Sequence, residues 1–240
     1  VADFSHDAWA YGALTADLVN NYDNIIEITT AGPAADNDDV IQAWIEADAG
    51  HNYALAGDEY MGSIHSGWPG EPVPYEPGTY VNDVLGIAVE YSDIVGSSGE
   101  LTPIRPVMGT LLGGAMYDRV GEVGTSMDSI FYDPNNEITQ VNWLDGFEIT
   151  EDSESFMEAD SAGGYGGFEG TPAVLSIGHT RTLEAGNKIA VFGYDPISVN
   201  SSPYFWYGFD DSSPMMQLLD WWSIALVLKV KLEKLPSLLT

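Results

Sequence analysis

Apolar and polar residues recur along this chain with two periods, and each change of period marks an element. Between residues 7 and 22, Ala8, Tyr11, Leu14, Leu18 and Tyr22 fall at helical spacings, and Asn20, Asn21 and Asp23 then supply breakers, which predicts one helix. Ile25, Ile26, Glu27, Ile28 and Thr29 are mostly β-branched and predict a short buried strand, closed by the turn Ala31-Gly32-Pro33. Val40, Ile41, Trp44 and Ile45 form a second helical stripe, preceded by Asp36, Asp38 and Asp39, where a helix start favours negative charge. Residues 51–56 predict another strand, halted at Gly57. Helix, strand, helix and strand with short connections imply parallel strands in a layered α/β sheet.

From 63 to 124 the texture changes to Pro and Gly with brief apolar runs, which reads as an elaborated loop region with one helical turn near 80–85 and a strand near 87–91. Residues 145–160 are acidic enough to read as solvated, and 162–167 as a Gly-rich turn. Regular pattern returns at 173–177 and 188–194, two strands joined through Glu184, Ala185, Gly186 and Asn187 as an antiparallel hairpin. Pro214 then opens a helix with a buried face of Met215, Leu218, Leu219 and Trp222. There is no internal repeat.

Charge divides the chain. Residues 1–222 hold 36 acidic against 4 basic side chains, a net charge of -32, while residues 223–240 hold Glu233 against three lysines, a net charge of +2. Residues 1–222 therefore read as one domain, and 223–240 as a basic apolar tail: a linker, an interaction segment or a non-native end. Its apolar stretch is far below the ~20 residues that would span a bilayer. A formal charge of -30 repels phosphate backbones and anionic lipid, so nucleic acid and membrane insertion are excluded as expectations, and cations are the favoured partners. The same charge keeps a secreted or salt-exposed protein soluble. With no cysteine, disulfides, thiolate metal sites and a cysteine nucleophile are all excluded. Val1 is neither an initiator Met nor the start of a signal segment, as in a mature or truncated chain, and 26 Gly, 13 Pro and 12% aromatics fit an extracellular module.

Two blocks carry a resemblance. Residues 40–62 (VIQAWIEADAGHNYALAGDEYMG) and 171–222, which begin TPAVLSIGHTRTLEAGNKIAVFGYDPISV and end MMQLLDWW, resemble class I glutamine amidotransferase-like domains of secreted bacterial multidomain proteins. The resemblance implies a flavodoxin-like α/β fold: a mostly parallel sheet flanked by helices, with a C-terminal antiparallel hairpin and long loops. It also implies a Gly-x-Cys-x-Gly elbow after a central strand, facing a helix N-terminus. Laid over that pattern, Gly57-Asp58-Glu59-Tyr60-Met61 places Glu59 at the cysteine and Met61 at the second glycine. Cysteine-dependent glutamine hydrolysis is thereby excluded. His179 is followed two residues on by Arg181 instead of the family's acid, and the family's first strand, upstream of the opening helix, is missing.

The remaining candidates come from residue type and spacing. Asp58 and Glu59 at a strand-to-turn junction, with His65 six residues after Glu59, could serve acid and base work in a hydrolase of small amides, esters or lactones. As neighbours in an extended segment they point to opposite faces, which favours a structural or binding role. A serine triad lacks its Gly-x-Ser-x-Gly elbow, and His6, His51 and His179 have no zinc spacing. Asp36, Asp38 and Asp39 offer oxygen ligands to Ca2+, without the twelve-residue calcium loop. Tyr204, Trp206 and Tyr207, in an aromatic run with Phe205, offer a ligand or polysaccharide surface. The expected function is a non-catalytic amidotransferase-like binding or assembly module of a secreted protein, with Ca2+ as the candidate ion. The rivals are the hydrolase and a carbohydrate-binding module, and any ligand is a small molecule, a polysaccharide or another domain of the parent protein.

Overall fold

β-branched residues in a run too short for a helix make the first strand, β1 (Asn24–Ile28), and the small apolar run Asn52–Ala56 makes β2 beside it; the two are parallel, as their helical connection requires. That connection is a helix (Asp38–Ala47, α2 below), which buries Ile41, Trp44 and Ile45 on one stripe, each contributing about 1.5–3 kcal/mol by leaving water. Of the helix expected over 7–22, the described part holds one turn, α1 (Ala16–Val19). Asn21 ends it by donating its side-chain Nδ2 to the carbonyls of Asp17 and Leu18, at 2.6 and 3.2 Å.

The computed structural model describes residues 13–28, 37–57, 72–96, 102–107, 109–110, 112–113, 130–132, 143–160, 171–194, 199–200 and 214–222. After β2 come β3 (Pro72–Pro74), the helical turn α3 (Tyr80–Asp83), β4 (Ile87–Gly96), β5 (Thr102–Pro106), β6 (Ile130–Tyr132), β7 (Trp143–Ile149), β8 (Ser153–Asp160), β9 (Val174–Thr182), β10 (Lys188–Phe192), β11 (Val199–Asn200) and α4 (Pro214–Trp221). Among the described residues eleven strands form one mixed sheet, ordered β1-β2-β10-β9-β8-β5-β6-β11, with β3, β4 and β7 branching from β9. Among the described residues only β1–β2 and β2–β10 are parallel, and the other eight pairings are antiparallel.

This overturns the expected flavodoxin-like, amidotransferase-like sheet, mostly parallel and flanked by helices. The parallel part is three strands at one end of a largely antiparallel sheet. Residues 145–160, expected to be solvated, belong to two strands in which Glu148, Glu154 and Asp160 face outward while Phe147, Phe156 and Met157, and Asp145 with them, are buried. An antiparallel strand with one wet face tolerates such alternation, whereas a central parallel strand does not.

The core lies on both faces of the parallel strands. Alternation sends Tyr53 and Leu55 of β2 and Ile189 and Val191 of β10 to one face, where they share a cluster with Ile41, Trp44 and Ile45 of α2 and Tyr80 and Val81 of α3. Ala54, Ala56, Ala190 and Phe192 face the other way, into a cluster with Phe156, Tyr194, Leu218 of the last helix and Trp222 just after it. The predicted hairpin forms as β9 and β10, and its turn residue Asn187, 1% exposed, reaches back to α2. Its Nδ2 donates to the carbonyls of Ile45 and Asp48, at 2.6 and 3.0 Å, and its Oδ1 accepts from Gly50 N at 2.7 Å, satisfying groups that a helix end leaves open.

Candidate functional site

The register of the three parallel strands decides where a site can form. Ile28 of β1 lies opposite Ala56 of β2, and Ala56 opposite Phe192 of β10, so the three strands end in one row. Gly57 N donates to the Phe192 carbonyl at 3.1 Å and extends that row by one residue. The chain leaves β1 and β2 from adjacent points, and α2 begins beside them. In sheets with parallel strands this carboxyl end is where connecting loops converge on ligands.

Glu27, one residue from the end of β1, organises the described part of this region. Its Oε1 accepts from Asn37 Nδ2 and its Oε2 from the Tyr53 hydroxyl, both at 2.8 Å. Asn37 Oδ1 in turn accepts from Leu14 N at 2.8 Å. Asn37 sits at the N-cap of α2 but spends its side chain on this network and not on its own helix. The network therefore ties β1, β2, the start of α2 and the segment before α1 at one carboxylate. Burial pushes the Glu27 carboxyl up, against its two hydrogen bonds, and Asp38 adds to the rise. Replacing Glu27 by Ala removes the acceptor that the Asn37 amide and the Tyr53 hydroxyl share, and a loss of about 3 kcal/mol is expected in urea unfolding, with Glu27→Gln falling between. Equal stability of Glu27→Ala and the parent would show that the network contributes nothing.

Among the predicted residues, Asp38 and Asp39 are described. They form the first turn of α2, Asp38 half-buried and Asp39 exposed, where their charge complements the helix dipole. Asp36, Asp58, Glu59 and His65, and Tyr204, Trp206 and Tyr207, lie outside the described residues. Among the described residues no group of three or more His, Asp or Glu is placed to hold a metal ion. His179 is fully buried in β9, with Nε2 donating to the Leu85 carbonyl at 2.7 Å and the ring edge-on to Phe147, so it belongs to the core.

Sequence reasoning missed a second carboxylate site. Glu90 of β4 and Asp145 of β7 are 0% and 1% exposed, on adjacent antiparallel strands, and the Tyr75 hydroxyl donates to Glu90 Oε2 at 3.1 Å. Burial pushes the Tyr75 hydroxyl up, and the charges of Glu90 and Asp145 push it further. Residue type alone assigns both acids to the surface; only the pairing of β4 with β7 shows them inside. Gly193 fixes the position of Asp145: its carbonyl accepts from Asp145 N at 3.2 Å and its N–H donates to Ile177 at 2.8 Å. A Cβ at 193 would stand 2.4 Å from the Asp145 carbonyl and 2.9 Å from the Phe147 ring. Gly193→Ala is expected to destabilise by about 2–3 kcal/mol in urea unfolding, whereas Gly50→Ala, which meets no neighbour, is expected to lose less, through its backbone angle alone.

Among the described residues no helix is long and apolar enough to cross a membrane. No family model, no curated protein and no solved structure matches the chain.

Proposed function

We propose that the chain is a non-catalytic binding or assembly module of a secreted protein, with its contact surface at the carboxyl end of β1, β2 and β10. The observation that supports this reading is the common row of Ile28, Ala56 and Phe192, beside which α2 begins with Asp38 and Asp39. The described side chains at this end are acceptors: Glu27, Asp38 and Asp39. Glu27 accepts from two donors of the fold, and the pair of carboxylates at the start of α2, Asp38 and Asp39, adds oxygen acceptors of the kind that suit a cation. Calcium, which prefers oxygen ligands, is the natural probe.

The test is calorimetric titration of Ca2+ into the full chain at ionic strength held constant with NaCl, repeated on Asp38→Asn/Asp39→Asn. The module predicts a saturable heat, a melting temperature raised by calcium and returned by chelator, and weaker binding in the double variant. Without saturable heat or a thermal shift, the cation reading fails. Turnover of esters or lactones that is lost on Glu59→Gln would replace the module by a hydrolase.

A further inference from the structure

We infer that residues 224–235 of this chain dock across the face of β1 that carries Ile26 and Ile28. This surface runs along one face of β1 and meets the carboxyl-end site above only at Ile28. Ile26 and Ile28 are 36% and 48% exposed, on a strand that pairs among the described residues only with β2. They stand in register with Ala54 and Ala56, on the same sheet face as Ala190, and that is the face covered by Leu218 of α4 and by Trp222, the residue after it. Small side chains at 54, 56 and 190 leave the bulkier isoleucines standing at the margin of a surface that a helix already covers in part.

The position of α4 says what can reach them. Trp221, at its last turn, accepts through its carbonyl from Lys188 Nζ, which lies 5.7 Å from the Trp221 ring centroid. The helix therefore ends beside the first residue of β10, and β10 is two strands from β1. Two strand spacings are about 10 Å, a distance that about three extended residues cover. Ile224, Leu226, Leu228 and Val230 follow within that reach, interleaved from 228 onward with Lys229 and Lys231. The apolar residues match Ile26 and Ile28, and the +2 charge of 223–240 is opposite to the -32 of the rest. A second copy presenting the same acidic surface would be repelled, and the tether gives the chain's own segment a high effective concentration.

The absence of native cysteine makes the test direct. Ile26→Cys is paired in turn with Leu226→Cys and Leu228→Cys under mild oxidation, with Ile26→Cys/Asp160→Cys, four strands away, as the reference. The inference predicts intramolecular disulfide in the first two pairs, on the order of tenfold above the reference. In parallel, deletion of 223–240 should speed amide exchange in β1 on the order of tenfold while α2 exchanges as before. Disulfide-linked dimers would assign the surface to a second copy and overturn the inference. So would crosslinking no higher than the reference, or β1 exchange unchanged by the deletion in a chain that still folds.

Discussion

Raising NaCl from about 0.01 M to about 1 M is expected to raise the melting temperature by about 10 °C, because salt relieves the repulsion of a chain carrying a net charge of -30. Few counter-charges are available inside the fold. Arg105 makes a bidentate pair with Asp160, at 2.7 and 3.0 Å; Arg181 pairs with Asp152 at 2.6 Å and also donates to the Asn82 carbonyl; Lys188 is held at Trp221. The basic side chains among the described residues are thus engaged locally, while Asp39, Glu46, Asp48, Glu148, Glu151 and Glu154 face solvent. The Debye length falls from about 30 Å to about 3 Å over this salt range, so repulsion across the whole molecule shrinks to near neighbours. For a chain of this size each kcal/mol moves the midpoint by roughly 2–4 °C, so the shift corresponds to about 3–4 kcal/mol. The measurement is thermal unfolding by circular dichroism in LiCl, NaCl and KCl at matched ionic strength. Screening predicts coincident curves for the three salts. A flat dependence would show that the acids are spaced widely enough not to repel, and a strong preference for one cation would point to ion binding.

Local elements were legible because their patterns are unbroken. Ile25 to Ile28 reads as a strand and Ile41, Trp44 and Ile45 as a helix stripe, whatever lies elsewhere in the chain. The turn around Gly186, which has φ of +92°, marked the hairpin in the same way. The sheet was not legible, for two physical reasons. Its bulges destroy the period of two: the β4–β7 register shifts between Ile87 and Val89 and again between Tyr91 and Val95, and the shift near Met157 turns both Phe156 and Met157 inward. Prolines also disguise two strands, since Pro72 and Pro74 lie in β3, at the margin of the sheet, and Pro103 and Pro106 in β5. Acidic composition then reads as solvation where it is one face of an antiparallel strand. The strand order was beyond reach altogether, because inserting β10 between β2 and β9 joins segments more than 130 residues apart, such as Tyr53 and Ile189.

The candidate site was legible in part, and for a related reason. The acids at 38 and 39 announce a helix start, and Gly57 ends a strand, but nothing in either segment says that they share one end of the sheet. That follows from the parallel register alone. Glu27 was invisible as an organiser since a lone acid in an apolar strand reads as its solvent face. Its partners Asn37 and Tyr53 are 10 and 26 residues away, and both were assigned to other roles by their own neighbourhoods.

Acidification from pH 7 to pH 4 is expected to cost about 3 kcal/mol through His179 alone. The ring is fully buried, Nε2–H donates to the Leu85 carbonyl, and Nδ1 has no hydrogen-bond partner among the described residues. Protonating Nδ1 would bury an uncompensated cation, with Arg181 adding repulsion, and burial accordingly pushes the imidazole down to about 4. The unfolded chain takes up this proton near pH 6.5 and the native chain only near 4, so the native state loses stability as pH falls between those values, at about 1.4 kcal/mol per pH unit. Glu27 acts in the opposite sense: its carboxyl is raised in the fold, so acid favours the native form there. Surface repulsion also relaxes as carboxylates protonate, and the parent protein alone therefore cannot isolate the histidine. His179→Gln can, since its amide still donates to Leu85 and does not titrate. Urea unfolding of both chains between pH 4 and pH 7.5 should show a stability difference that changes by about 3 kcal/mol across the window and is level above it. A constant difference would mean that His179 titrates alike in both states, and that β9 opens enough for water to reach the ring.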